Sequence, residues 1–323
     1  MPVLSWKRVG ERAQEDRWTS REAARKDLSL GEYAPPETEA QRRGAAGGRA
    51  GLFETCANPG CRSGWLQLWR SRKAPVFEGG WSCSPECTQA RLTAALYREM
   101  DGRGRAPEGH THRIPLGLVM LKQGWINHGQ LRRALEAQKA AGGGRLGSWL
   151  VRREGVSEHL VTRALGLQWS CPVLPLDFYD PSSLAVFLPR LFVDAFGALP
   201  LRVAASKVLY LGFEDRLDPA LALGVERMTG LRVESGIVDG SRFRPAQEQM
   251  LTAAFPPVEL IEAVSEPMLA RALGRALERA HAVESRLVRV HDLVWLRMWL
   301  RPQSAPLPEA GGVADVIGSV GTA

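Results

Sequence analysis

Two stretches of the sequence repeat one another in register. Residues 115–138 read PLGLVMLKQGWINHGQLRRALEAQ, and residues 145–168 read RLGSWLVRREGVSEHLVTRALGLQ. Identical or similar residues match throughout: Leu116 with Leu146, Gly117 with Gly147, Met120 with Leu150, Leu121 with Val151, Ile126 with Val156, Leu131 with Val161, Ala134 with Ala164, Leu135 with Leu165, and Gln138 with Gln168. So many matches in one register indicate an internal repeat, which organises the interpretation of the whole chain.

Each copy predicts a short helix, a turn and a second helix. Gly124 or Gly155 ends the first helix, where a left-handed residue is needed. Asn127 or Ser157 can then cap the second helix. Two apolar positions and the closing glutamine share one face of that second helix: Leu131, Leu135 and Gln138 in the first copy, and Val161, Leu165 and Gln168 in the second. The glutamine therefore ends an apolar stripe.

The repeated pattern R-L-G-x-x-L-V, a glycine, and then A-L-x-x-Q resembles the MshEN-type domain. This is the N-terminal domain of type II secretion (GspE-like) and type IV pilus assembly ATPases. The stretches CPVLPL and KVLYLGFEDRLDPALALGVERMTGLRVESGIVDG also resemble the α/β remainder of these regions, so the similarity covers roughly residues 112–250. The family binds cyclic di-GMP through both motifs. The resemblance therefore implies a cyclic di-GMP-binding regulatory protein that signals to a secretion or pilus assembly component.

The resemblance also implies which residues contact the nucleotide. Arginine suits a guanine edge or a phosphate, a glutamine amide can donate and accept, and glycine permits close backbone approach. Leucines would supply apolar cover for the purine faces. Carried over by position, the set is Leu116, Gly117, Met120, Gly124, Leu131, Leu135 and Gln138 from the first copy, and Arg145, Leu146, Gly147, Leu150, Leu165 and Gln168 from the second.

Two positions depart from the family pattern. Pro115 stands where the family has arginine, and Arg113 is displaced by two residues, which predicts a different face. Glu154 stands where the central glycine is expected, with Gly155 one place later, and a carboxylate near an anionic ligand is unfavourable. The alternative interpretation is therefore a protein-interaction scaffold of the same fold without a ligand.

Four cysteines precede the repeat in two close pairs. CANPGC contains Cys56 and Cys61, and WSCSPEC contains Cys83 and Cys87. Two pairs about twenty residues apart fit a four-thiolate zinc site. The first pair sits in a Pro-Gly turn, and the second opens a helix capped by serine. The pattern resembles a treble-clef finger with structural zinc, in which WLQLWRS and APVFEGGW can form a hairpin. Cys171 stands alone and is interpreted as a buried apolar residue.

A finger with basic charge could instead bind nucleic acid. Aromatic and basic residues occur together between the cysteine pairs: Trp65, Trp69, Arg70, Arg72 and Lys73. Packing of such a hairpin on the finger helix is the favoured interpretation, so nucleic-acid binding is kept as the second alternative.

The composition and the absence of known motifs limit the remaining classes of function. The net charge is +7, and much of the excess is arginine, which suits a phosphate-bearing partner. The chain has no apolar run long enough for a membrane span or signal peptide, which predicts a cytoplasmic protein. It also contains no phosphate-binding G-x-x-x-x-G-K-[ST] and no recognisable catalytic motif. The sequence therefore predicts a non-catalytic protein.

The predicted fold class is α+β, with a small zinc-finger unit, a helical tandem repeat, and a small α/β domain followed by C-terminal helices. SRLVRVHDLVWLRMWLRP, residues 285–302, could form a partner-binding amphipathic helix, but core packing against the α/β unit is the favoured interpretation. The predicted divisions are a disordered arm (1–50), the four-cysteine unit (51–101), a linker (102–113), the repeat (114–170), the α/β domain (171–256), C-terminal helices (257–302) and a disordered tail (303–323).

Overall fold

The computed structural model describes residues 56–62, 75–101, 113–177, 179–204, 207–302 and 310–321. Helices and sheets are mixed in this part of the chain, so the predicted α+β class is confirmed. The predicted arm and nearly all of the predicted linker lie outside the described residues, as do the aromatic and basic residues between the cysteine pairs.

The cysteine unit consists of a hairpin and a helix. Strands β1 (Val76–Phe77) and β2 (Gly80–Trp81) pair antiparallel. The turn between them uses Glu78 and Gly79, both at positive φ, as a two-residue hairpin requires. Helix α1 (Pro85–Asp101) follows, and the hydroxyl of Ser84 accepts the backbone N–H of Cys87, as the sequence predicts. This hairpin lies within APVFEGGW, and its predicted WLQLWRS strand is outside the described residues.

The repeat forms four helices. Helices α2 (Leu116–Lys122) and α3 (His128–Ala140) belong to the first copy, and α4 (Leu146–Glu154) and α5 (Glu158–Trp169) to the second. Asn127 caps α3 in a reciprocal box with Gln130. Ser157 occupies the equivalent position before α5, but its side chain makes no capping bond.

A three-stranded unit follows the repeat. Short helices α6 (Pro181–Leu184) and α7 (Arg190–Phe196) lead into strands β3 (Ala198–Ala204) and β4 (Val208–Phe213). Helix α8 (Pro219–Thr229), strand β5 (Arg232–Ile237) and helix α9 (Gly240–Leu251) complete the unit. The sheet order is β3-β4-β5, with β4 antiparallel to β3 and parallel to β5. Asp218 caps α8, which opens with Pro219, and Gly230 ends it in the left-handed conformation.

The last part of the chain forms a second sheet. Strand β6 (Val258–Ala263) precedes helix α10 (Glu266–Ala280), and strands β7 (Glu284–Val290), β8 (Leu293–Trp299) and β9 (Val313–Val320) follow. A 3-10 turn at Ala310–Gly312 leads into β9. The order is β6-β9-β8-β7, with β6 and β9 parallel and the other neighbours antiparallel.

This second sheet corrects two predictions. Residues 285–299 form the β7–β8 hairpin rather than a helix, and residues 313–320 of the predicted disordered tail form a central strand. The hairpin is buried on both faces because the sheet lies between two cores. Trp295 and Trp299 join the core of the three-stranded unit, whereas Leu296 and Met298 pack with α10 and α1. Burial on both faces removes the alternation by which a strand is recognised.

The cysteine unit is attached to the second sheet. The backbone N–H groups of Val76 and Glu78 donate to the carbonyls of Ala282 and Ser285, at 2.9 and 2.8 Å. Helix α1 packs against α10. The buried Glu99 carboxylate pairs with Arg227 of α8. The finger is therefore integrated with the C-terminal sheet, although the repeat and the three-stranded unit separate them in the sequence.

Within the described ranges, no helix is both long and apolar enough to span a membrane.

Candidate functional site

The two repeat copies interlock by exchanging helix partners. Helix α2 packs against α5 of the other copy, and α3 packs against α4. Gly117 and Gly147 let the two helices of their own copy pack closely, since a Cβ atom at either would lie 2.6 Å from a side chain of that copy's second helix, that of Leu131 or Val161 respectively. Each glycine also faces the motif leucine of the opposite copy, Leu146 or Leu116. The Leu-Gly pair of the motif therefore forms the centre of a pseudo-symmetric interlock.

The closing glutamines fasten each copy to the other. The Nε2 of Gln138 donates to the carbonyl of Gly144, at 2.5 Å, and the Nε2 of Gln168 donates to the carbonyl of Ile114, at 2.8 Å. Gly144 and Ile114 are equivalent, since each directly precedes the first residue of a copy. The amides therefore hold the start of the opposite copy's first helix.

Two equivalent arginines also cross between the copies. Arg133 of α3 pairs with the carboxylate of Glu154 at the end of α4, with Nε 3.2 Å from both oxygens. Arg163 of α5 lies over the ring of Trp125, 5.2 Å from its centroid. The hydrogen bond from Arg133 lowers the pKa of Glu154. Glu154 is thus engaged as a brace between the copies, away from the cavity described below.

The turn of the second copy accommodates the displaced glycine. Gly155 takes the left-handed φ of 66° that Gly124 takes in the first copy, at 70°. The backbone N–H of Val156 donates to the carbonyl of Leu150, which satisfies the end of α4. Helix α4 is therefore longer than α2, and the buried positions Ile126 and Val156 remain equivalent.

A cavity of about 820 Å³ lies between the repeat and the three-stranded unit. The first turns of α4, one face of α5 and Leu116 form its repeat side. The turn after β4 and the start of α9 form the opposite side. The motif residues that line it are Leu116, Arg145, Leu146, Gly147, Leu165 and Gln168, and the opposite wall comprises Glu214, Asp215, Gly240, Ser241, Arg244 and Pro245.

Arg145 is the charged centre of this cavity. Its guanidinium lies 3.0 Å from a carboxylate oxygen of Glu214 and 3.0 Å from one of Asp215. Arg244 also pairs with Glu214, at 2.8 Å. Two guanidinium groups therefore share two carboxylates at the mouth, which holds the repeat against the three-stranded unit.

The start of α4 adds positive potential to the same cavity. Leu146, Gly147 and Ser148 form its first turn and line the cavity, and no side chain caps their backbone N–H groups. Backbone N–H groups at a helix N-terminus, together with the helix dipole, form a favourable site for an anion. Arg145 and this first turn converge on one wall.

Arg113 lies at the edge of the cavity. Its guanidinium stacks on Trp169, 3.4 Å from the ring centroid, and Trp169 lines the cavity. The indole N–H of Trp169 donates to the carbonyl of Asp215. The displacement predicted to place Arg113 on another face therefore leaves it beside the cavity wall.

The remaining predicted ligand residues lie elsewhere in the repeat. Met120 and Leu150 are fully buried, so they contribute to its core. Gly117 is buried at the interlock, and Gly124 forms the turn. Leu131 and Leu135 line a separate, smaller groove of about 310 Å³ on α3. Gln138 fastens the copies together.

Sequence reasoning missed the wall opposite the repeat. Glu214, Asp215, Ser241 and Arg244 are far from the motif in sequence and carry no spacing signal of their own. The available signal is that Glu214 and Asp215 directly follow the apolar run KVLYLGF, which has the pattern of a strand. Polar residues at strand ends often line sites in α/β proteins.

The four predicted cysteines converge on a possible metal site. Their sulfur atoms all lie within 4.8 Å of one another. Cys83 Sγ is 3.4 Å from Cys61 Sγ and 3.6 Å from Cys87 Sγ, far longer than a disulfide bond. Four thiolates bound tetrahedrally to zinc at about 2.3 Å would lie about 3.8 Å apart. The donor set and its spacing therefore fit a tetrahedral ion such as zinc.

Donors around the sulfurs support thiolate ligands. The backbone N–H of Cys83 donates to Cys56 Sγ, and the Nδ2 of Asn58 donates to Cys87 Sγ, both at 3.3 Å. Such outer hydrogen bonds orient metal ligands and stabilise their charge. Cys171 differs, because burial raises the pKa of its thiol to about 11 and keeps it protonated.

Comparison with known proteins gives matches among solved structures alone. No protein-family model and no curated protein matches the chain. The chain is similar to a structure of MshE with cdg, at 24% identity over 43% of this chain and 99% of that one, with a TM-score of 0.34. It is also similar to the N-terminal domain of XpsE, at 19% identity over 42% of this chain and 92% of that one, with a TM-score of 0.30.

Proposed function

We propose that the chain is a non-catalytic regulatory or adaptor protein that binds cyclic di-GMP in the cavity between its tandem repeat and its three-stranded unit. The observation that carries the proposal is the convergence of six motif residues from both copies on one cavity. They combine a guanidinium, a primary amide, a close-packed glycine and three leucines. A phosphate can bind the guanidinium, a base edge the amide, and a purine face the leucines.

Binding would change the contacts of Arg145. In the structure, the carboxylates of Glu214 and Asp215 pair with this residue. A phosphate is a competing partner for the same guanidinium and for the first turn of α4. The ligand thus exchanges one set of ion pairs for another at the junction of two structural units. This exchange provides a route by which binding alters a surface presented to a secretion or pilus assembly component.

Calorimetric titration of the full chain with cyclic di-GMP tests the proposal, with GMP and cyclic di-AMP as comparison ligands. A micromolar site should stabilise the protein by about 2.7 kcal/mol at a hundredfold excess over Kd. Arg145→Ala should weaken binding by tenfold or more, since it removes a charged hydrogen-bond donor of about 1.5–3 kcal/mol.

Arg153→Ala is the matched control. Arg153 is an exposed cation on the same helix, and it does not line the cavity. Its loss should leave the affinity unchanged. Absence of heat and of a thermal shift in the wild-type chain would identify the repeat as a ligand-free scaffold.

We further propose that Cys56, Cys61, Cys83 and Cys87 hold a structural zinc ion. Four thiolates leave no open coordination position, so the ion would stabilise the finger without taking part in catalysis. A unit this small has too little core to fold on its own burial alone. The ion would therefore support the hairpin and α1 against the second sheet.

Elemental analysis of the purified chain should find about one zinc per chain, and chelation should lower the Tm. Cobalt substitution should give the absorption of a tetrahedral thiolate site. Cys83→Ser should reduce the metal content, whereas Cys171→Ser should not. Metal content below about half an equivalent, with a Tm insensitive to chelator, would exclude the site.

A further inference from the structure

The first repeat copy carries an open groove on α3. Six residues of one helical stripe line this groove of about 310 Å³: His128, Leu131, Arg132, Leu135, Glu136 and Lys139. Leu135 is 44% exposed. The groove thus combines an accessible leucine with two full positive charges and one carboxylate.

The second copy shows how the equivalent surface is covered. The residues equivalent to the groove are Glu158, Val161, Thr162, Leu165, Gly166 and Trp169, and all except Gly166 line the 820 Å³ cavity. Val161 and Thr162 are buried, at 8% and 3% exposure. The three-stranded unit lies over them. In the described part of the chain, nothing comparable lines the first-copy groove.

The covering segment is an acidic turn. The carbonyl of Asp215 accepts from Trp169, and the carboxylates of Glu214 and Asp215 pair with Arg145. On the neighbouring edge, the backbone N–H of Ser241 donates to Glu158, at 3.0 Å. The turn that meets this repeat surface therefore carries carboxylates beside apolar residues, and Arg145 at the start of α4 receives those carboxylates.

The groove residues have become more basic than their counterparts. His128, Arg132 and Lys139 stand where the second copy has Glu158, Thr162 and Trp169. Within the described ranges, neither Arg132 nor Lys139 forms an ion pair, and both are exposed. Glu136, which also lines the groove, stands where the second copy has Gly166, so the groove keeps one more full positive charge than negative.

We propose that the first-copy groove docks an acidic segment of a protein partner, in which carboxylates flank an apolar side chain. Leu131 and Leu135 contact the apolar side chain, and Arg132 and Lys139 bind the carboxylates. Charge complementarity of this kind sets partner choice and the rate of association. The proposal assigns a partner surface distinct from the nucleotide cavity, and it holds whether or not that cavity binds cyclic di-GMP.

The probe is a labelled peptide of residues 210–218, YLGFEDRLD, which is the chain's own covering turn. Fluorescence anisotropy with the full chain at low salt should show binding that weakens as salt rises. The double variant R132E/K139E should bind at least tenfold more weakly, because two attractions become repulsions. A peptide with glutamine and asparagine in place of its Glu214 and Asp215 should weaken binding similarly.

The matched control is R271E/R275E, which reverses two exposed charges on α10, away from the repeat. It should bind the peptide as the wild-type chain does. Equal binding by R132E/K139E, or by the neutralised peptide, would overturn the proposal. Sedimentation that shows a dimer dissociated by R132E/K139E would assign the groove to a second copy instead. Loss of cyclic di-GMP binding in that variant would assign the groove to the nucleotide, and this separate titration keeps the two proposals distinguishable.

Discussion

The two repeat copies make the same internal contacts but differ in the part of the molecule that faces them. Each has a glycine at the interlock, a glutamine that holds the opposite copy and an arginine that crosses to the opposite turn. The second copy faces the three-stranded unit across a large cavity, whereas the first copy's equivalent surface stays exposed. The residues that form these contacts are alike in the two copies, whereas the residues on the two equivalent surfaces differ. The difference therefore separates packing positions from binding positions within one motif.

The largest difference between the copies should appear on adding a methyl group to the interlock glycines. Gly147→Ala places Cβ 2.6 Å from Cγ1 of the buried, stiff Val161, and Gly117→Ala places it 2.6 Å from the flexible end of Leu131. Overpacking costs about 1–3 kcal/mol, while alanine gains about 1 kcal/mol in helix propensity. We expect Gly147→Ala to lower the free energy of unfolding by about 1–2 kcal/mol and Gly117→Ala to be nearly neutral. Denaturant unfolding of both variants measures this, and equal losses would contradict the asymmetry.

An intermediate effect should follow from restoring the missing arginine. Pro115 occupies the position equivalent to Arg145, with a φ of −54° that arginine also adopts. If the proposed nucleotide site spans both copies at this position, Pro115→Arg should tighten cyclic di-GMP binding by about threefold to tenfold. Pro115→Ala is the control, because it removes proline without adding a guanidinium. Similar affinities for these two variants would confine phosphate recognition to the second copy.

The smallest effect concerns the brace between Arg133 and Glu154. The hydrogen bond lowers the folded-state pKa of Glu154 below its unfolded value. The pair therefore stabilises the fold above the unfolded carboxyl pKa, and this contribution disappears as pH falls through the lowered pKa. Glu154→Gln should reduce the loss of Tm on acidification from pH 7 to about pH 3. Glu248→Gln, at an exposed position of α9, is the control, and identical acid responses would count against the brace.

Sequence patterns predicted the local elements well where a cap, a turn residue or a spacing marks them. The helices of the repeat, the caps at Asn127 and Asp218, and the strand in KVLYLGF all follow from signals within a few residues. The β7–β8 hairpin is buried on both faces, as β4 also is, but it lacks a local marker. Its turn at His291 and Asp292 has no glycine to mark it, although His291 takes a positive φ.

For the candidate sites, too, residues within a local sequence pattern could be predicted, whereas residues brought together by packing could not. The convergence of four cysteines was predictable because their spacing is a local pattern. The repeat wall of the cavity was predictable from the motif, whereas Glu214 and Arg244 depend on how two units pack. Glu154 was interpreted as an unfavourable carboxylate, since its partner Arg133 belongs to the opposite copy. Contacts between segments that are distant in the sequence cannot be predicted from a single sequence.

The attachment of the finger to the second sheet has a consequence for how the chain is made. Ser285 reaches back 209 positions to hydrogen-bond Val76, and Glu99 pairs with Arg227 across 128 positions. Such high contact order predicts slow folding. On the ribosome, α1 emerges long before the strands that bury Leu92 and Leu96 have been translated. The nascent chain must therefore carry an unfinished apolar helix through the synthesis of the whole repeat.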